Sequence, residues 1–163
     1  MAGSDFAALT AGLDVPMFVV TALADDDGER SGCLIGFATQ TSIDPQRFLV
    51  CLSQANHTHG VALRASHLAV HWVPEDAMAL AELFGGETGD DVDKLARCAW
   101  REGPHGAALL DDAPNRFVGA VLWRRDVGDH SAFLLEPVWA EHGADVGELR
   151  FARAKAIDPG HPA

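Results

Sequence analysis

The stretch that decides the fold reads GCLIGFATQTSIDPQRFLVCL, residues 32–52, and it follows the apolar run MFVVTA, residues 17–22. A polar, acidic turn over residues 25–30, which contains Gly28, separates the first run from the strand-like residues 33–38. Two β-rich runs around such a turn predict a β-hairpin. Pro45 then separates the hairpin from a third predicted strand, residues 48–52.

Outward from this stretch, the pattern predicts more strands with short helices between them. Ser4-Asp5 is expected to cap an opening helix at its amino-terminus. A later helix through Val92, Leu95 and Cys98 is expected to be capped by Asp90 or Asp91. The other predicted helices cover residues 59–65 and 75–84, and the other predicted strands cover residues 68–73, 117–123, 131–139 and 149–154. About six strands with short helical connections indicate a small β-barrel with helical decorations.

Size, charge and cysteine content restrict the class of protein. The 163 residues are the length of one domain, with a formal net charge of -12 and no run of Lys or Arg. Such a surface repels nucleic-acid phosphates and anionic membranes, so neither is expected as a main partner. The amino-terminus lacks a signal-peptide pattern, and no stretch reaches the roughly 18 apolar residues of a membrane span. Three unpaired cysteines are typical of reduced thiols, so a cytoplasmic protein is expected.

The histidines and tryptophans suggest little chemistry of their own. His57 and His59 lie close together and His67 and His71 follow, but their spacing does not suit a tetrahedral site, so no metal is expected. Trp72 alternates with apolar neighbours on a predicted strand. Trp123 shows the same pattern, and we assign both tryptophans to packing.

Three short motifs carry a resemblance to a known family. Ser42-Ile43-Asp44-Pro45 ends a Thr/Ser-containing segment, Thr58-His59 follows the next strand, and Gly128-Asp129-His130 lies between two strand-like runs. In this order and spacing they resemble the flavin-reductase-like, FMN-binding split-barrel family of the NAD(P)H:flavin oxidoreductase type. The resemblance covers about residues 6–156 of a single domain, 1–163.

The resemblance implies a mainly β fold with short helices, an FMN-binding split β-barrel of Greek-key type that forms a homodimer. It implies hydride transfer from NADH or NADPH to FMN or FAD, with reduced flavin passing to a partner such as a flavin-dependent monooxygenase. His130, within the triplet Gly128, Asp129 and His130, is expected to position the nicotinamide. The residues expected to line the flavin ring are Ile35, Gly36, Phe37, Ala38 and Thr39, and those expected at its phosphate-bearing tail are Ser53, Gln54, Asn56, His57 and Thr58.

Simple chemistry supports these assignments but leaves alternatives open. Gly36 lets extended backbone approach a flat ring closely, and the bend over residues 53–58 offers hydroxyl, amide and N–H groups to a phosphate. The same bend is compatible with an ordinary capped helix start, and Gly128-Asp129 with an ordinary turn between strands. A 2′-phosphate on the nicotinamide nucleotide favours an arginine, for which the unplaced candidates are Arg101, Arg124, Arg125, Arg150 and Arg153.

The sequence also departs from the family pattern. Leu34 stands where family members often have Thr, and Gly36-Phe37 stand where they often have Ser-Ser. These losses of hydroxyl groups leave two other functions open. One is an electron carrier that holds FMN tightly, and the other is a split-barrel binding domain without a cofactor.

Overall fold

A seven-stranded antiparallel sheet dominates the computed structural model, which describes residues 2–143 and 145–161. The strands are β1 (Phe18–Leu23), β2 (Arg30–Ile35), β3 (Ala38–Ser42), β4 (Arg47–Ser53), β5 (His67–Trp72), β6 (Trp100–Glu102), β7 (Ala108–Leu110), β8 (Asn115–Asp126) and β9 (His130–His142). The helices are α1 (Ala2–Thr10), α2 (His57–Ala62), α3 (Met78–Gly86) and α4 (Phe151–Ala154), with 3₁₀ turns at Leu95–Arg97 and Pro104–Gly106. Within the described residues, no helix has the length and apolar character needed to cross a bilayer.

The sheet has the strand order β2-β1-β5-β8-β9-β4-β3, and β6 and β7 form a separate ribbon. Ile35 of β2, near one edge of the sheet, and Val50 of β4, near the other, belong to the same buried core, together with Phe133 of β9. A flat sheet could not bring these side chains together, so the sheet is rolled around this core as a barrel.

A second core covers the outside of β1 and β2. Val19 points away from the barrel interior and packs with Leu80 and Phe84 of α3. His71 of β5 is fully buried beside this core, where its Nδ1–H donates to the Val19 carbonyl at 3.0 Å and its Nε2 accepts from the Leu110 amide at 3.2 Å. This neutral ring joins β1 to the β6–β7 ribbon, and burial lowers its pKa to about 4.

The predicted hairpin and most predicted strands are confirmed. β1 and β2 pair in antiparallel register from Phe18↔Ile35 to Leu23↔Arg30, around the acidic turn. The strand predicted over residues 33–38 is interrupted at Gly36-Phe37, where β2 ends and β3 begins. The ribbon of β6 and β7 was not expected from the sequence.

Three local predictions are wrong. Helix α1 already begins at Ala2, so Ser4-Asp5 lie within the helix and do not cap it. The helix expected through Val92, Leu95 and Cys98 is only a 3₁₀ turn, Leu95–Arg97. The Asp93 carboxylate, rather than Asp90 or Asp91, accepts from the Leu95 and Ala96 amides at its start. The strand predicted over residues 149–154 is absent: residues 151–154 form the helical turn α4, since the Ala154 amide bonds back to the Arg150 carbonyl. Within 149–154, only Arg150 pairs in a β-bridge, with Pro16.

Candidate active site

Two segments far apart in sequence meet where β4 ends and β9 begins. The Gln54 amide donates to the Asp129 carbonyl at 2.9 Å, and the Gln54 side chain donates to the Gly128 carbonyl at 3.2 Å. Ser53, the last residue of β4, is the register partner of His130, the first residue of β9. The predicted tail segment and the predicted nicotinamide triplet are therefore in direct contact.

Phe37 joins this cluster from the link between β2 and β3. Its ring centroid lies 5.1 Å from that of His130, and its carbonyl accepts from the Cys51 amide at 2.9 Å. The Phe37 side chain is 63% exposed, which leaves the ring free for a further contact. His130 is oriented by Asp129, whose carboxylate lies 2.7 Å from its Nδ1, and this hydrogen bond lowers the pKa of Asp129.

Strand alternation places these groups on one surface. Phe48, Val50 and Leu52 of β4 point into the barrel, so Leu49, Cys51 and Ser53 point outward. Thr39 opposes Leu49 in the β3–β4 register and shares its side of the sheet. We call this surface the outer face, and it carries Phe37, Thr39, Leu49, Cys51, Ser53 and His130. Burial raises the pKa of the Cys51 thiol, so it is neutral at pH near 7.

Two of the predicted ring-lining side chains do not reach the outer face. Ile35 is buried in the barrel core, and Ala38 packs against that core from the start of β3. Gly36 lies beside Met17 and Val15. At residues 35, 36 and 38, therefore, the main chain is the part of the residue left to contact a ligand on the outer face.

The side chains of Asn56, His57 and Thr58 turn away from the outer face. The Asn56 carbonyl oxygen Oδ1 accepts from the Thr58 amide at 2.9 Å and caps α2. The Thr58 hydroxyl is buried and lies 2.8 Å from that of Ser31. These contacts match the capped helix start that the sequence left open, and they engage both side chains within the fold.

His57 bridges two carboxylates on the side of the molecule next to α3. Its Nε2 lies 2.7 Å from Glu29 and its Nδ1 lies 2.7 Å from Asp90. Burial lowers the pKa of His57, but the hydrogen bonds to Asp90 and Glu29 raise it by more, so the net pKa is above the ordinary value. His57 thus ties the acidic β1–β2 turn to the loop after α3.

Two cavities lie away from the outer face. One of about 570 Å³ opens at the other end of β4, where Arg47, Trp72 and Phe117 line it. A polar one of about 270 Å³ lies beside His57 and Lys94. Among the described residues, no three His, Cys, Asp or Glu side chains are grouped so that they could hold a metal ion.

Comparison with known proteins identifies the family of this fold and surface. The family model described as the flavin reductase like domain matches residues 11–156. This chain belongs to that family.

Relatives of the flavin reductase like domain carry consistent names. A Methylorubrum extorquens protein named FMN reductase (NADH) RutF is 32% identical over 123 residues, which are 74% of this chain and 60% of the relative, so the chain spans about three fifths of its length. A Rhizobium protein named reductase component of the FADH(2)-dependent resorcinol hydroxylase is 24% identical over 137 residues, 84% of this chain and 76% of the relative.

A solved structure confirms the fold class predicted for the flavin reductase like domain. The NADH:FAD oxidoreductase SgcE6 of Streptomyces globisporus superposes with a TM-score of 0.81 over 98% of this chain and 90% of its own, at 20% identity. The mainly β split-barrel prediction is therefore confirmed. At this identity the likeness concerns the fold alone.

The departures from the family pattern have different structural consequences. Leu34 packs against the second core, and a Cβ built on Gly85 would lie only 2.8 Å from its Cδ2 atom. A hydroxyl at position 34 would therefore face α3, away from the outer face. Phe37, in contrast, brings an exposed aromatic ring to the outer face where many flavin reductase like domains have a hydroxyl.

Sequence reasoning missed Cys51 and assigned Trp123 wrongly. Cys51 lies on the outer face between Leu49 and Ser53, and strand alternation within β4 could have found it. Trp72 does pack against the barrel core, as predicted, but Trp123 is 39% exposed and lies under the guanidinium of Arg125. The assignment of Trp123 to packing is therefore wrong, because the outer side of β8 is not covered by another element at this point.

Proposed function

We propose that this protein is a flavin reductase that transfers a hydride from NADH or NADPH to FMN or FAD. The observation that carries the proposal is the convergence of Phe37, Gln54 and the triplet 128–130 on one outer face in a flavin reductase like domain. The names of its relatives support it, since they include an FMN reductase (NADH) and an NADH:FAD oxidoreductase.

The outer face has the groups that a flavin requires. A flavin has a flat apolar ring with polar edges, and Phe37 offers an exposed aromatic surface next to the main chain of residues 35–39, where β2 ends and β3 begins. Ser53 and Gln54 offer polar groups for the tail, while Asn56, His57 and Thr58 fix the bend that presents them. When bound, flavin supplies the hydride acceptor.

The task left to the chain is to hold the nicotinamide ring against the flavin. Hydride transfer depends on two rings stacked at contact distance, so the protein contributes positioning and exclusion of water. His130, held by Asp129 and packed on Phe37, is the residue that we assign to the nicotinamide, with the backbone of Gly128 beside it. No proton transfer by His130 is required.

We further propose a partner, an assembly and a location. Reduced flavin would pass to a flavin-dependent monooxygenase, a proposal supported by the relative named as the reductase component of a hydroxylase. A homodimer is supported by exposed apolar side chains on α1, on the outer face and in the β3–β4 turn, namely Phe6, Leu9, Phe37 and Ile43. The free thiols of Cys33, Cys51 and Cys98 support a reducing compartment such as the cytoplasm.

The test is a spectrophotometric assay of purified protein with NADH or NADPH, with and without added FMN or FAD. We expect oxidation of at least one nicotinamide, seen in its absorbance band, that depends on added flavin. Yellow protein without turnover would instead establish the FMN carrier. Colourless, inactive protein that does not bind added flavin would establish the cofactor-free domain and refute the reductase.

A further inference from the structure

The five arginines that the sequence analysis named as candidates for binding a phosphate of the nicotinamide nucleotide differ in their contacts. Four of them bond within the fold: Arg101 to Glu141, Arg124 to the Ala65 carbonyl, Arg150 to the Asp14 carbonyl, and Arg153 to the Glu75 carbonyl. Each of these guanidinium groups therefore already donates a hydrogen bond to another part of the fold.

The fifth, Arg125, is held only from one side. Its guanidinium lies 5.3 Å from the ring centroid of Trp123, and it makes no hydrogen bond or ion pair with another residue that the structure describes. Every other arginine of the described residues makes a hydrogen bond or ion pair with a carboxylate or a backbone carbonyl, so in a chain with 24 Asp and Glu against 12 Lys and Arg, Arg125 is the exception. Stacking on an aromatic ring restrains a guanidinium but leaves its N–H donors free.

Arg125 lies on the same side of the sheet as His130. Its neighbour Arg124 pairs with Phe133, which belongs to the barrel core, so Arg124 lies on the inner side of the sheet. Side chains alternate along a strand, so the Arg125 side chain points outward. The β8–β9 register pairs Arg125 with Ala132, which makes His130 its diagonal neighbour. Diagonal neighbours on one side of a sheet are roughly 7–8 Å apart, within reach of a long side chain.

From this geometry we propose that Arg125, supported by Trp123, binds a phosphate of the nicotinamide nucleotide whose nicotinamide ring lies against His130. The proposal rests on the proposed function, because it takes the nicotinamide site at His130 as given. A guanidinium matches the oxygens of a phosphate in a two-pronged arrangement. Arg125 also supplies local positive charge for an anionic co-substrate on a protein whose net charge is -12.

The phosphate could be the pyrophosphate that NADH and NADPH share or the 2′-phosphate of NADPH, and a binding experiment separates them. NAD⁺ and NADP⁺ are titrated calorimetrically, in excess FMN, into wild-type protein and the Arg125→Gln, Arg125→Lys and Arg97→Gln variants. Arg97 is the matched control, an exposed arginine whose ion pair with Glu87 lies outside the outer face. The KM for NADH and for NADPH and the flavin affinity are measured alongside.

We expect Arg125→Gln to weaken binding of at least one nucleotide about tenfold or more, as for loss of a charged hydrogen bond. Arg97→Gln should bind as wild type does, and Arg125→Lys should fall between wild type and Arg125→Gln. Equal weakening for both nucleotides identifies the pyrophosphate, and weakening for NADP⁺ alone identifies the 2′-phosphate. The flavin affinity should not change.

Each remaining outcome decides against a specific claim. If Arg125→Gln binds both nucleotides as tightly as Arg97→Gln, the phosphate contact is refuted even where FMN is reduced at the full rate. If the variant loses nucleotide affinity but wild type reduces no flavin, the contact stands and the proposed reaction is refuted. If wild type binds neither nucleotide, both are refuted.

Discussion

His130 is fixed by contacts with three neighbours that the sequence places at different distances. Asp129 is adjacent in sequence, whereas Ser53 and Phe37 reach it through the β4–β9 pairing and the link between β2 and β3. The triplet 128–130 was recognisable as a motif. Its contact with Phe37 was not, because that contact depends on how the sheet is rolled.

His130→Ala should raise the KM for the nicotinamide about tenfold while leaving the flavin affinity unchanged, since the residue is assigned to one ring and not to the other. The measurement is a pair of steady-state KM determinations with a flavin-binding titration. His142→Ala is the control, a 73% exposed histidine side chain at the other end of β9. Equal loss of flavin and nicotinamide binding would show that His130 is structural.

His71 makes folding stability depend on pH. Its pKa is about 4 in the folded protein against 6.5 in an exposed histidine, so between these values the unfolded chain binds more protons. The contribution of His71 to the free energy of unfolding is therefore complete above pH 6.5 and is lost as pH falls toward 4. The loss amounts to about 3 kcal/mol at most.

The His71→Gln variant isolates this effect, because Gln can donate to the Val19 carbonyl and accept from the Leu110 amide but does not titrate. Urea unfolding at about pH 5 and about pH 7 should show a smaller pH dependence for the variant than for wild type. The other histidines are common to both proteins and cancel in the comparison. An identical pH dependence would contradict the account.

At the scale of elements, sequence reasoning succeeded where a run was long enough to show its period. β1, β2, β4 and β9 all carry several β-branched or apolar residues, and each was predicted. β6 and β7 have three residues each, which is too short for a period to be seen. Residues 149–154 show a strand-like alternation that also fits one helical turn, so local pattern could not decide between them.

The same limit applies to the bend before α2. The sequence correctly singled out a polar bend, and Ser53 and Gln54 do meet the triplet 128–130. The sequence could not show that the Thr58 side chain contacts Ser31, or that His57 contacts Glu29 and Asp90. Those partners are 27 or more residues away in the chain. Side-chain direction in this bend is set by tertiary contacts, not by local sequence.

Two glycine substitutions should affect stability with opposite signs. A Cβ on Gly119 of β8 would lie 2.8 Å from the Leu135 Cβ, so Gly119→Ala should lower the free energy of unfolding by about 1–3 kcal/mol. Gly60 lies within α2 with no atom near its Cβ position, so Gly60→Ala should stabilise by roughly 0.5–1 kcal/mol. Chemical denaturation measures the free energy of unfolding of both variants. A Gly119→Ala protein as stable as wild type would contradict the tight β8–β9 packing.

At the scale of the whole molecule, helix α1 stands clear of its own barrel. Every side chain from residue 3 to residue 13 is exposed, including Phe6, Leu9 and Leu13 at 68%, 74% and 58%. The helical spacing of these apolar residues was visible in the sequence. The sequence could not show that these residues do not pack on their own barrel, because amphipathic spacing does not say which surface covers the apolar side. An exposed apolar stripe of this kind supports the proposed homodimer.

Leu9→Glu should convert the proposed homodimer to a monomer, because it places a charge in the apolar stripe of α1. Sedimentation velocity at several protein concentrations measures the change. Ala8→Glu adds the same charge to the same exposed helix on another side and should leave the dimer intact. A wild-type protein that sediments as a monomer at every concentration would contradict the proposed assembly.

Anaerobic rapid mixing of NADH, FMN and purified protein tests directly whether this chain moves a hydride from nicotinamide to flavin. Without oxygen, reduced flavin cannot be reoxidised, so its loss of absorbance reports the transfer itself. We expect flavin bleaching and nicotinamide oxidation to proceed together, one for one, and much faster than without protein, either with NADH or, in a parallel experiment, with NADPH. Bleaching no faster than the uncatalysed rate with both donors and with either FMN or FAD would contradict it.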